Sequence, residues 1–141
     1  MKRLNLIILS AILLSVISCG KSKNFPSTPD LTFKGISPSE VRASDSVQIV
    51  CGFRDAEGDI QDSIFYKASN NNVFAPYAIP NFPAQRNMEG NIILVLERDL
   101  DFSTPVGGAA ADTLSFDVYL KDRAGHISDT VRTTKVVVFG S

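Results

Sequence analysis

The chain has 141 residues, 14 of them basic and 15 acidic, with a formal net charge of −1. Basic residues form no long run or patch, which argues against a nucleic-acid binder, and the length suits one domain with a real core and excludes a second. One histidine and two cysteines leave no His/Cys spacing for zinc, and there is no Gly-rich phosphate loop.

At the start, Lys2 and Arg3 precede Leu6 to Ile17, a run of small and apolar side chains closed by Ser18 and Cys19. A charged n-region followed by a short apolar h-region is signal-peptide chemistry, and the run falls short of the roughly 20 residues that cross a bilayer. Val16, Ile17, Ser18 and Cys19 fill in turn the aliphatic, small or aliphatic, small and cysteine slots of the bacterial lipoprotein motif, which this segment resembles. That resemblance implies a diacylglycerol thioether on Cys19, cleavage after Ser18 and acylation of the freed amine. Alternatives are an ordinary secretory signal or an uncleaved anchor helix, although ordinary cleavage sites prefer an A-x-A-like end. Two or three acyl chains, at about 0.8 kcal/mol per buried methylene, hold a protein firmly. The expected localisation is therefore the cell envelope, lipid-anchored at the outer membrane, with periplasmic or surface facing left open.

The expected organisation is a signal peptide over 1–18, a lipidated N-terminus and flexible tether over 19–29, and one folded domain over 30–141. Gly20 to Pro29 is small, polar and proline-bearing, as a tether requires. Lys21 and Lys23 stand where some surface-exposed lipoproteins of Bacteroidota carry acidic residues. Without Lys2 and Arg3, 12 basic residues face 15 acidic ones, a net charge of −3. With Cys19 alkylated, Cys51 has no partner for a disulfide; within an alternating run it reads as a small buried hydrophobe.

From Asp30 onward the pattern is strands and turns. Leu31 to Ile36 is the first expected strand, closed by Ser37-Pro38-Ser39. Val47, Ile49, Cys51 and Phe53 then alternate with Gln48, Val50 and Gly52, the period of a half-buried strand. Ser63 to Ala68 and Val73 to Ile79 follow, separated by Asn70-Asn71-Asn72, which suits a hairpin. Asn91 to Glu97 contains five consecutive apolar residues, Ile92 to Leu96, which predict either a central, doubly covered strand or a short buried helix. Leu114, Phe116, Val118 and Leu120 alternate with Ser115, Asp117, Tyr119 and Lys121 as one further strand, and Thr130 to Phe139 is the last. Pro80 to Glu89 and Arg98 to Asp112 are long, weakly patterned connections where binding residues are expected. Phe33, Phe53, Phe65 and Phe116 read as core; Phe74, Tyr77, Phe82 and Phe102 lie in or beside the less patterned segments.

About seven short strands with no helical spacing predict an all-β antiparallel sandwich. The strand spacing, the Asp/Glu/Gly turn after the second strand, and Tyr119-Leu120-Lys121-Asp122-Arg123-Ala124-Gly125-His126-Ile127-Ser128 resemble the immunoglobulin-like and cadherin-like domains of bacterial envelope proteins. Such domains often carry Asp-x-Ala-Gly-Asn-x-Ser between their last two strands; His126 stands here where Asn is usual. Together with the lipoprotein motif, this implies a single-domain lipoprotein of a kind abundant in Bacteroidota.

The sharpest candidate site is acidic. Asp55, Glu57, Asp59 and Asp62 set four carboxylates within eight residues, and calcium takes six to eight oxygens from such groups. The spacing is not that of an EF-hand, and up-and-down counting brings Pro80 to Glu89 and Asp122 to the same end. Asp122 would then supply a fifth carboxylate; the alternative is a solvated acidic turn and no cofactor. Asp99 and Asp101 form a second acidic pair, which the same counting puts at the other end. No facing carboxylate pair and no nucleophile for His126 can be assigned, so no enzyme is expected. The expected function is a non-catalytic, membrane-anchored lipoprotein that binds an envelope protein, as an accessory subunit of an outer-membrane assembly. The alternative is a glycan-binding or calcium-dependent adhesion module.

Overall fold

The computed structural model describes residues 24–60, 63–81, 83–102 and 110–140. The expected signal peptide, Cys19, Asp62 and Phe82 lie outside the described residues. Those residues form an all-β structure with no helix: β1 (Asp30–Ser37), β2 (Glu40–Val41), β3 (Ser46–Asp55), β4 (Ser63–Ala68), β5 (Ala75–Ala78), β6 (Met88–Glu97), β7 (Ala111–Leu114), β8 (Phe116–Lys121), β9 (Val131–Arg132) and β10 (Val136–Phe139). They make three sheets, ordered β1-β3-β6, β5-β4-β8-β9 and β2-β10-β7. Neighbours run antiparallel except β2 and β10, which are parallel.

Alternation decides which side chains meet. Val47, Ile49, Cys51 and Phe53 on β3 are all buried, and Leu94 and Leu96 on β6 lie opposite Ile49 and Val47 on the same face. The second sheet contributes Ile64, Phe116, Val118 and Leu120, and the third Val41, Leu114, Val136 and Val138, to the same apolar cluster. The three sheets thus share one core.

Three expectations about the strands need correction. The run Leu114 to Leu120 is two strands, because the chain changes sheets at Ser115: β7 pairs with β10, whereas β8 pairs with β4. Ser69 fastens the switch, donating its N–H to the Ser115 carbonyl at 2.8 Å and accepting the Ser115 N–H on its hydroxyl at 3.2 Å. Thr130 to Phe139 divides in the same way into β9 and β10. Between them the buried Thr133 accepts the Phe116 N–H on Oγ1 and donates its own N–H to the Phe116 carbonyl, both at 2.9 Å.

The third correction concerns Ile92 to Leu96, which form neither a doubly covered strand nor a helix. Among the described residues, β6 is an edge strand. Leu94 and Leu96 face the core, whereas Ile93 and Val95 point outward, 52% and 39% exposed. Side chains from elsewhere cover part of the open edge. The Val95 N–H donates to the Tyr77 hydroxyl at 3.3 Å, and the Glu97 N–H to Asp101 Oδ2 at 2.8 Å. Asp101 Oδ1 also accepts the Tyr66 hydroxyl at 2.6 Å, which links β4 to this edge.

Candidate functional site

Two strands carry their alternation one step too far, into acid. On β3 the inward positions Val47, Ile49, Cys51 and Phe53 are followed in phase by Asp55, which is fully buried. On β8, Phe116, Val118 and Leu120 are followed in phase by Asp122, 1% exposed. Both carboxylates therefore enter the fold from strand ends rather than solvating a turn.

Asp55 organises the chain after β3. Its Oδ2 accepts the N–H groups of Gly58 and, at 3.2 Å, Asp59. Gly58 has φ +67° and lies so close to the backbone of Gln85 that a Cβ there would stand 2.0 Å from the Gln85 carbonyl oxygen. The 83–87 segment thus packs on this turn, and the Asn87 N–H donates to the Ala56 carbonyl at 2.8 Å. Asp122 is held by the turn that follows it. Its Oδ1 accepts the His126 N–H at 2.7 Å, and its Oδ2 lies 2.8 Å from His126 Nδ1. The Arg123 N–H donates to the Asp59 carbonyl at 3.0 Å, joining the two loops.

One carboxylate oxygen from each of Asp55, Asp59 and Asp122 lies within 4.8 Å of the others. Burial pushes the Asp55 carboxyl up, with repulsion from Asp59 and Glu57 adding to it and the two backbone N–H groups opposing it. The hydrogen bond and charge of Asp122 raise the His126 imidazole. Glu57 is not in the cluster. It is exposed, accepts the Ser27 hydroxyl at 3.0 Å, and lines a hollow with Asn24, Phe25, Arg86 and Asn87. The tether expectation meets the same region: the Ala56 N–H donates to the Pro26 carbonyl and the Phe25 N–H to Asn87 Oδ1, both at 3.1 Å, so Phe25 and Pro26 lie against the domain.

The remaining candidates are engaged elsewhere. Asp101 serves Tyr66 and the β6 edge, while Asp99 lies 3.5 Å from the Arg98 guanidinium. Ser128 bonds backbone rather than His126: its hydroxyl accepts the Leu120 N–H and donates to the Asp129 carbonyl, both at 2.9 Å. Cys51 is fully buried, and burial pushes its thiol up to about 11.

A second feature departs from expectation. Phe65 is not core, because Ile64, Tyr66 and Ala68 take the inward positions of β4. On the outer face of its sheet Phe65 stacks on Tyr119, with centroids 4.8 Å apart and planes 10° from parallel. Phe74 meets Tyr119 edge-on at 4.9 Å. All three rings are half-buried, and Val73 beside Phe74 is 69% exposed. Charges frame the rings: Arg132 grips Asp117 through Nε at 2.6 Å and through a terminal guanidinium nitrogen at 3.0 Å, and Lys67 Nζ lies 5.1 Å from the Phe74 centroid. Phe102, in the long connection after β6, is buried edge-on against Phe116 at 5.3 Å.

No protein-family model matches this chain, and no curated protein matches its sequence.

Proposed function

We propose that this chain is a lipid-anchored, non-catalytic, immunoglobulin-like β-sandwich module of the cell envelope. In this reading it binds another envelope protein as an accessory subunit of an outer-membrane assembly, using the outer face of the β5-β4-β8-β9 sheet. The observation that carries the reading is the half-buried Phe65–Tyr119–Phe74 cluster beside the Asp117–Arg132 pair. Protein interfaces concentrate aromatic and arginine side chains, and rings already packed on one another lose little freedom on binding. Protein is favoured over glycan because sugars stack on free ring faces, and here Phe65 and Tyr119 each lose one face to the other at 4.8 Å while Phe74 meets Tyr119 edge-on at 4.9 Å. The anchor rests on Val16 to Cys19, and the sandwich on the single core that the sheets share.

The test uses the full chain in its own membranes, with a photo-crosslinking amino acid at Phe74 or, as a control on the other sheet, at Ile93. Position 74 should give one dominant protein adduct that position 93 lacks, and Cys19→Ser should deplete the protein from the membrane fraction. Equal adducts from both positions, or none from position 74, would remove the proposed face.

A further inference from the structure

We propose that Asp55, Asp59 and Asp122 form a binding site for one calcium ion, which joins the loop after β3 to the turn after β8. The first ground is distance. Oxygens sharing a calcium ion at about 2.4 Å can lie no more than about 4.8 Å apart, and one oxygen from each of the three residues meets that bound.

The second ground is an unanswered buried group. Asp55 is fully buried, and while its Oδ2 takes two backbone N–H groups, its Oδ1 is buried without a hydrogen-bond partner among the described residues. A buried carboxylate oxygen without a donor is rare in a native fold, because it has lost water and gained nothing in return. A cation held at the cluster through Oδ1 would give that oxygen a partner and offset the mutual repulsion of the three acids.

The third ground is the chemistry of the set. All the donors are carboxylate oxygens, the hard ligands that calcium and magnesium prefer to imidazole or thiolate. Magnesium requires near-ideal octahedral geometry at about 2.0–2.1 Å, whereas calcium tolerates irregular shells. Three carboxylates, two from strand ends and the partly exposed Asp59 from the loop after β3, suit the more permissive ion, with water completing the shell. Asp122 reaches the cluster already oriented by the His126 backbone and ring. His126 is thus a positioning residue, and Glu57, bonded to Ser27, stays outside.

The experiment takes the full-length chain, purified in detergent and stripped with chelator, and adds calcium or magnesium chloride alone. Titration calorimetry should give one calcium per chain with a dissociation constant on the order of 0.1–1 mM, the range of extracellular calcium modules. Calcium should also raise the thermal midpoint, and magnesium should do so less. Asp59→Asn changes the most exposed ligand, so it should still fold cooperatively, yet bind calcium on the order of tenfold more weakly. Glu57→Gln removes an equal charge nearby and should bind like the parent. Superimposable melting curves with calcium and with chelator, and no binding heat, would overturn the site. So would equal losses in Asp59→Asn and Glu57→Gln, which would reduce the effect to general charge attraction.

Discussion

Gly58 shows how little freedom the turn after β3 retains. Its φ of +67° is a left-handed conformation, and the Gln85 backbone fills the space where a Cβ would go. Gly125 shares the left-handed backbone at φ +94° but has open space around it. The two glycines therefore separate conformational strain from collision. Gly125→Ala should cost about 1–2 kcal/mol in urea unfolding, the strain of a left-handed residue alone. Gly58→Ala should cost more, because the 83–87 segment must move as well; equal costs would show that this segment yields freely. At this scale the site was half legible. Asp55 and Asp122 could be read as inward-facing by extending each strand's alternation one step, but acids beside glycine also read as ordinary turn residues. What adds Asp59 and leaves out Glu57 is the fold of the turn over the Asp55 carboxylate, which no sequence period encodes.

At the scale of elements, β8 and β9 are joined through Asp117 and Arg132 as well as by their ladder. The Arg132 hydrogen bond holds the Asp117 carboxyl below its ordinary value, against the opposing effect of burial. A depressed folded pKa stabilises the protein above the unfolded value, near about 3.9, and that contribution disappears as pH falls through the folded value. Wild type should therefore exceed Asp117→Asn in urea midpoint at neutral pH, with the gap closing below about pH 4. A gap that stays constant into acid would exclude the ion pair as its source. Most strands were legible, including β3 and β4, because a half-buried strand writes its period into the sequence. The sheet switches were not. Leu114, Phe116, Val118 and Leu120 keep facing one core while the chain passes from one sheet to another, so the alternation continues across the break. Phe65 misled for the opposite reason: it is the larger apolar residue, yet the smaller Ile64 and Ala68 set the inward phase of β4.

For the whole molecule, the consequence of one shared core is cooperativity. Phe116 is fully buried, packs edge-on against Phe102, and follows directly on the switch between two sheets. Phe116→Ala should cost about 3–5 kcal/mol while unfolding remains a single transition by both fluorescence and circular dichroism. Separate midpoints by the two probes would mean that the sheets melt independently. The edge of β6 has a different consequence. An exposed edge strand with outward isoleucine and valine is the usual starting point for strand-to-strand polymerisation. Here Tyr77 and Asp101 already hold the Val95 and Glu97 N–H groups that an incoming strand would claim. A neighbouring copy must first displace both side chains, and with Asp101 the Tyr66 bond as well. Where copies crowd together, this guarded edge favours separate molecules over fibres.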